Sequence, residues 1–171
     1  GELAMIGPGL VSASNLTKCD FELPLEEGVS VLLPHLGRMR MIARIVRIEA
    51  RVHLAAGNAD KAADLLCGLM RLSRHMPNDR TLISSLVGVA ISALARDEMQ
   101  YVLTSPTLTQ AGRDALLTEL KLSAKPDAFQ FRNAVEAECF IFLEWVRAQA
   151  AAGQQGIDFV ASLAGGEGET E

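Results

Sequence analysis

Nonpolar side chains return every third or fourth residue along most of this sequence, and that spacing is what most restricts its fold. In one segment, Met39, Ala43, Val46, Ala50 and Leu54 follow one another at helical intervals. Because an α-helix turns once every 3.6 residues, such a series forms one stripe that needs burial. We find no sustained two-residue alternation of the kind that marks a half-buried strand. The sequence therefore predicts an all-α fold.

Glycine, proline and helix-capping residues divide this pattern into about five helices. The predicted helices cover residues 31–56, 60–76, 79–101, a short stretch that ends near 122, and 127–152. In the third, Ser84, Gly88 and Ser92 are small enough to let a neighbouring helix come close. Short turns between helices favour antiparallel neighbours, so we expect a compact α–α bundle.

The chain has 171 residues, enough for one domain with a buried core, which we place at residues 31–152. Residues 1–30 carry scattered glycine and proline without a sustained period, which predicts an irregular N-terminal arm. Residues 153–171 hold five glycines among acids, which predicts a disordered tail.

The composition restricts the class of protein. Apolar residues make up 49% and charged residues 22%, the balance of a folded chain and not of a disordered one. The net charge of −5 gives no general attraction for nucleic acid. The longest uncharged run, residues 81–95, is shorter than the roughly 20 residues that cross a bilayer. We therefore expect neither a nucleic-acid partner nor a membrane segment.

The compartment stays open at this stage. The chain begins with glycine and not with methionine, so a membrane anchor could precede it, and both a cytoplasmic and an extracytoplasmic location are compatible with the sequence. The three cysteines, Cys19, Cys67 and Cys139, are odd in number and far apart. This spacing suggests neither a disulfide framework nor a zinc site, and we expect reduced thiols.

The first two predicted helices carry a resemblance. When "GNADKA" is placed on the turn, Ala50 and Ala62 fall where small residues let two helices touch, and Leu66 falls at a large packing position. In this the hairpin resembles a tetratricopeptide-repeat unit, which implies stacked helical hairpins with a groove between them. About two and a half hairpins are fewer than the three repeats that usually stabilise an open array. We therefore expect a closed bundle or a homodimer that completes the core.

A second resemblance covers most of residues 19–146. Its runs are "CDFELPL", "LLPHLGRMRMIARI", "GNADKAADLLCGLMRLSRH", "TLISSLVGVAI" and "AECFIFLEWV". Together they look like a helical family found mainly in planctomycete bacteria, whose members often follow a single membrane-spanning segment and have no activity attached to them. The resemblance implies a helical fold and keeps an extracytoplasmic location open, and it transfers no catalytic residues.

Four arginines form the first candidate site. Arg40, Arg44, Arg47 and Arg51 are spaced four, three and four residues apart and occupy an arc of about 60° on a helix. Such a stripe is usually a solvated face, whose long side chains cover apolar surface or pair with acids on a neighbouring helix. The alternative is a binding site for an anion or an acidic peptide, because guanidinium groups bind carboxylates with two hydrogen bonds.

Glu138 is the second candidate, because it projects near Phe131, Ala134, Phe142 and Trp145. A carboxylate among apolar side chains must be paired, hydrogen-bonded or protonated. A structural hydrogen bond to an arginine or a helix end is one interpretation, and an acid/base role in a pocket is the other.

No motif in the sequence predicts a catalytic residue, a metal site or a cofactor. The histidines lack ligand spacing, the serines lack a nucleophile elbow, and no glycine-rich phosphate loop is visible. We therefore predict a non-enzymatic protein-interaction or scaffold module with a protein or peptide partner. The alternative is a small anionic-ligand-binding domain or an enzyme that uses the arginine stripe and Glu138.

Overall fold

The computed structural model describes residues 6–17 and 19–164. These residues form seven α-helices and contain no strand, so the all-α prediction is confirmed. The helices are α1 (Ile6–Ser14), α2 (Pro34–Ala55), α3 (Ala59–His75), α4 (Leu82–Leu103), α5 (Gln110–Ser123), α6 (Phe131–Ala151) and α7 (Gln154–Ala164). Short 3-10 segments, Leu25–Ser30 and Met76–Asp79, precede α2 and α4. Helices α2 to α6 correspond to the five predicted ones, and with α1 and α7 the number of helices is larger than predicted.

Helix α1 lies in the segment predicted as an irregular arm. Pro8 stands in its first turn, where the missing N–H has no helical partner to lose. Gly7 is buried against α3, and a Cβ atom at this position would come within 2.6 Å of Leu65 Cδ2. From the sequence alone, the glycine and proline indicate an irregular segment. Instead, Pro8 is compatible with the first turn of α1, and Gly7 allows the helix to pack closely.

Helix α7 lies in the segment predicted as a disordered tail. It folds back on α6, and a Cβ atom at Gly156 would overlap the backbone carbonyl of Gln149. The glycine permits this contact, so it marks a close helix crossing. Residues 1–5 and 165–171 lie outside the described residues, and the disorder predicted for the acidic end, with Glu167, Glu169 and Glu171, stays a prediction.

Helix α3 is the centre of the fold. It packs against α1, α2, α4 and α5, and 11 of its 17 residues are buried. Leu66, Leu69 and Met70 are fully enclosed. Burying a leucine or methionine side chain stabilises a fold by about 1.5–3 kcal/mol. The core therefore forms around α3, and the neighbouring helices each contribute one apolar face.

The approach of α4 to α3 depends on a glycine. A Cβ atom at Gly88 would lie 2.5 Å from the carbonyl oxygen of Ser73. Ser84 and Ser92 lie on the same buried stripe of α4. The predicted close approach of a neighbouring helix at these small residues is confirmed.

Helices α2, α4 and α5 surround α3 in a regular arrangement of helix directions. Residues at the start of α3 and α5 meet, because Thr109 donates its hydroxyl hydrogen to Asp60 over 2.8 Å. Residues near their ends also meet, because Arg74 donates to the hydroxyl of Ser123. Helices α3 and α5 therefore run parallel, and α2 and α4 form a second parallel pair beside them.

The α6–α7 hairpin lies at the edge of the bundle. Trp145 anchors it, with its ring centroid 5.9 Å from that of Phe159 and its side chain against Gly28. Gly28 has a φ of +60°, and a Cβ atom there would overlap the indole. Only Ala134 and Trp145 of α6 are buried. Much of the apolar surface of α6 consequently faces solvent.

Candidate binding groove between α2 and α4

The arginine stripe of α2 is divided into two halves. Arg47 and Arg51 face α4, where both bind the carboxylate of Glu98. Arg47 Nε lies 2.6 Å from Oε1, and Arg51 donates from Nε over 2.7 Å and from Nη2 over 2.6 Å. Arg40 and Arg44 are exposed, and neither makes a side-chain hydrogen bond or ion pair within the described residues. One half of the stripe is therefore structural, and the other half is free for solvent or a ligand.

Glu98 is a buried carboxylate with only 3% of its surface exposed. The hydrogen bonds from Arg51 and Arg47 lower its pKa, even though burial by itself favours the neutral acid. The same contact raises the pKa of Arg51. The ion pair thus holds a charged group in the interface between α2 and α4, where an unpaired carboxylate would be costly.

An apolar ridge lies beside the free arginines on α2. Met41, Ile48 and Val52 are each more than half exposed, although α2 buries Ala43 and Val46 on its opposite face. On the helical wheel these three side chains are centred within about 60° of Arg44. The outer face of α2 therefore combines cationic and apolar side chains.

Helix α4 also carries exposed apolar or aromatic side chains. Ile83, Leu86 and Tyr101 are exposed on its outer side. Near the ends of both helices, a shallow depression of about 380 Å³ is lined by Arg51, Leu54, Ala55, Glu98 and Tyr101. This depression contains the Glu98–Arg51 ion pair, and Arg44 and Arg40 lie about two and three turns before Arg51 on the same face of α2.

Glu138 has a structural partner at the other end of α4. One of its carboxylate oxygens accepts a hydrogen bond over 2.7 Å from the backbone N–H of Leu82, the first residue of α4. A negative charge at this position also interacts favourably with the helix dipole. Of the two interpretations from the sequence, this geometry corresponds to the hydrogen bond with a helix end.

Glu138 also lines a cavity of about 510 Å³ between α6 and the segment before α2. The lining is mainly apolar, with Val31, Leu33, Ile83 and Phe142 among its members. Glu138 and Cys139 are the ionisable side chains among the lining residues. Glu138 is held by the backbone of Leu82, so this geometry describes a helix cap.

The structure does not bring the five candidate residues together. Glu138 caps the first residue of α4, whereas Glu98, which holds Arg47 and Arg51, lies 16 residues further along the same helix. At a rise of 1.5 Å per residue, this separation is about 24 Å. Arg40 and Arg44 lie on the exposed face of α2, and Glu138 lines a separate cavity.

Two buried glutamates were not among the residues singled out from the sequence. Besides Glu98, Glu119 of α5 is buried and binds Arg71, whose Nε lies 2.8 Å from Oε1, and Arg74. A signal was present, because Glu98 continues the buried stripe of Ile91, Ala95 and Val102 at helical spacing. An acid on an apolar stripe predicts a buried ion pair with a neighbouring helix.

A third polar cluster joins the start of α2 to the start of α4. His35 Nε2 lies 3.0 Å from Oδ2 of buried Asp79, and the Ser84 hydroxyl donates to the same oxygen. In a catalytic triad the histidine would stand between the serine and the carboxylate. Here both bind the carboxylate, so the serine has no base beside it, and the cluster is a structural clamp.

Among the described residues, no group of three or more histidine, cysteine, aspartate or glutamate side chains is arranged to hold a metal ion. Across the same part of the chain, no helix has the length and hydropathy needed to span a membrane. No family model matches the sequence, and neither a curated protein nor a solved structure is significantly similar to it.

Proposed function

We propose that this chain is a protein-interaction module of tetratricopeptide-repeat type, which binds an acidic segment of a partner protein in the groove between α2 and α4. The parallel pairs α2/α4 and α3/α5 support this proposal, because helical-repeat proteins bind partners along surfaces built from parallel helices of successive repeats. The resemblance of the α2–α3 turn to the repeat consensus points to the same class.

One observation carries the proposal. Arg40 and Arg44 are exposed beside Met41 and Ile48, while the next two arginines of the stripe are occupied by Glu98. Arg47 and Arg51 serve to join α2 to α4. The two free guanidinium groups beside the apolar ridge offer charge-assisted hydrogen bonds together with apolar contact area.

The chemistry of the groove defines its partner. Carboxylate side chains of an incoming segment would bind Arg40 and Arg44, and apolar side chains one helical turn away would cover the ridge of Met41, Ile48 and Val52. An amphipathic helix with aspartate or glutamate beside its apolar stripe fits both requirements. Affinity should fall as salt rises, because exposed ion pairs are screened.

Peptide selection tests this proposal. A display library of random peptides of about 16 residues, long enough for four helical turns, is selected on the immobilised chain. We expect enrichment of sequences with acids and apolar residues three or four positions apart. Amide chemical-shift changes on adding a selected peptide should concentrate in α2 and α4.

Two results would contradict the proposal. One is a selection that returns no enriched sequences or basic ones, and the other is a set of shift changes confined to α6 and α7. The double variant Arg40→Gln/Arg44→Gln should lose at least about tenfold in affinity, as expected for two charge-assisted contacts. The control Lys61→Gln/Lys121→Gln removes two exposed charges from α3 and α5 and should bind as the unmodified chain does.

A further inference from the structure

Helix α6 carries a second exposed stripe, formed by Glu136, Phe140, Leu143 and Arg147. The four residues are spaced four, three and four apart, so they share an arc of about 60° on the helix. Each of these side chains is more than half exposed. Two large apolar side chains thus stand in water at the centre of the stripe, with an acid at one end and a base at the other.

The stripe is complementary to a second copy of itself that runs in the opposite direction. In one direction the stripe presents acid, apolar, apolar and base, and an antiparallel copy presents base, apolar, apolar and acid. Because the spacing is symmetric, the midpoint between residues 141 and 142 can serve as a twofold axis. Glu136 of one copy then faces Arg147 of the second copy, and Phe140 faces Leu143.

From this complementarity we propose that the chain forms a homodimer through α6, with the two helices antiparallel across a twofold axis. Such an isologous interface uses the same patch on both copies and closes on itself. Phe140 and Leu143 of the two copies form its apolar centre, and two Glu136–Arg147 ion pairs close its ends. The surface is separate from the α2–α4 groove, so the dimer does not depend on the proposed function.

Both end charges of the stripe already have a partner within α6. Arg132 Nε lies 2.9 Å from Glu136 Oε1, and Arg147 Nη1 lies 2.5 Å from Glu144 Oε1. These pairs hold Glu136 and Arg147 at the helix surface on the side of the stripe. On approach of a second copy, each charge keeps its own neighbour and gains an opposite charge across the axis.

The size of the stripe sets the strength of the dimer. One exposed face of a single helix buries less area than the roughly 800 Å² per partner of a standard stable interface. We therefore expect a reversible dimer with a dissociation constant in the micromolar range, about 1–100 µM. Both the apolar centre and the end charges should contribute measurably.

Charge reversal with rescue tests the register. Sedimentation equilibrium between about 5 µM and about 500 µM covers the expected range for the unmodified chain. The single variants Glu136→Arg and Arg147→Glu each place like charges across the axis, and we expect at least a tenfold weaker dimer for both. The double variant Glu136→Arg/Arg147→Glu restores opposite charges and should regain the dimer. Circular dichroism of each variant reports whether α6 remains folded.

Two further variants distinguish a loss of interface contacts from a general effect of changing a surface residue. Phe140→Gln removes apolar contact area without a change of charge and should also weaken the dimer at least tenfold. Lys121→Glu, an exposed charge reversal on α5, should leave it unchanged. The proposal is overturned if the unmodified chain is monomeric at the highest concentration, if the single reversals dimerise as it does, or if the double variant fails to recover.

Discussion

Arg51 joins α2 to α4 by holding the carboxylate of Glu98 with two hydrogen bonds, one from Nε over 2.7 Å and one from Nη2 over 2.6 Å. The two partners differ in environment, because the carboxylate is buried and the guanidinium is largely exposed. The buried carboxylate therefore needs the arginines to compensate its charge, whereas the guanidinium groups can be solvated by water without it.

This asymmetry predicts unequal effects of removing either side of the ion pair. Glu98→Gln leaves two arginines that solvent can reach, and we expect a loss of about 1–2 kcal/mol in the free energy of unfolding. Arg47→Gln/Arg51→Gln leaves a buried carboxylate without a cation and should cost more than Glu98→Gln. Urea denaturation at neutral pH measures both. A smaller loss for the arginine double variant would contradict the assignment of Glu98 as the dependent partner.

The lowered pKa of Glu98 predicts a pH dependence. A carboxyl whose pKa in the folded state lies below its ordinary value near 4.5 stabilises the fold above that value. This stabilisation disappears as the pH falls through the folded-state pKa. The difference in unfolding free energy between the unmodified chain and Glu98→Gln should be constant near neutral pH and should shrink below about pH 4. Urea titrations at several pH values check this, and a difference that widens in acid would refute it.

Gly88 and Gly37 predict opposite effects of the same substitution. A Cβ atom at Gly88 would meet the backbone oxygen of Ser73 at 2.5 Å, so Gly88→Ala must separate α3 from α4. We expect a loss of about 1–3 kcal/mol from this overpacking. At Gly37 in α2 nothing lies within 4 Å of the added atom. Gly37→Ala should therefore gain up to about 1 kcal/mol from helix propensity. Thermal or urea unfolding measures the stability of both variants. Equal changes in the free energy of unfolding would contradict the packing described for α3 and α4.

The thiols of Cys67 and Cys139 should differ in reactivity. Burial raises the pKa of Cys67 to about 12, whereas Cys139 is exposed on α6. The thiolate is the reactive form, so at mildly basic pH iodoacetamide should modify Cys139 and leave Cys67 intact in the folded chain. Peptide mass spectrometry after a timed reaction measures this. In denaturant both thiols should react alike, and rapid native labelling of Cys67 would show that α3 is not the enclosed core.

The sequence predicts the helices that have a clear apolar stripe. It does not predict α1 and α7, because the glycine and proline residues in these segments are typical of irregular chain. Helices α2 to α6 follow from their period. In α1 and α7 the same residues that interrupt helices elsewhere serve close contacts, as Gly7 does against Leu65 and Gly156 does against Gln149. A glycine can end a helix, or it can allow a second helix to pack closely against the first. Which of the two occurs depends on tertiary packing, and a single sequence does not reveal that packing.

The candidate site could be predicted in part. The spacing of Arg40, Arg44, Arg47 and Arg51 places them on one face, and the structure agrees on that face. Their division into bound and free halves depends on Glu98, which lies about 50 residues later in the chain and reaches α2 only because α2 and α4 run parallel. The helical period alone cannot give the register of two helices. It therefore could not predict that Arg47 is bound by Glu98 while Arg44 is free.

The affinity of a selected acidic peptide for Arg40→Gln/Arg44→Gln tests the central claim most directly. Both side chains are exposed, so the variant should unfold within about 0.5 kcal/mol of the unmodified chain. We predict that it loses at least about tenfold in peptide affinity at moderate salt, while Lys61→Gln/Lys121→Gln binds normally. An affinity for Arg40→Gln/Arg44→Gln equal to that of the unmodified chain would contradict the assignment of this groove as a binding surface.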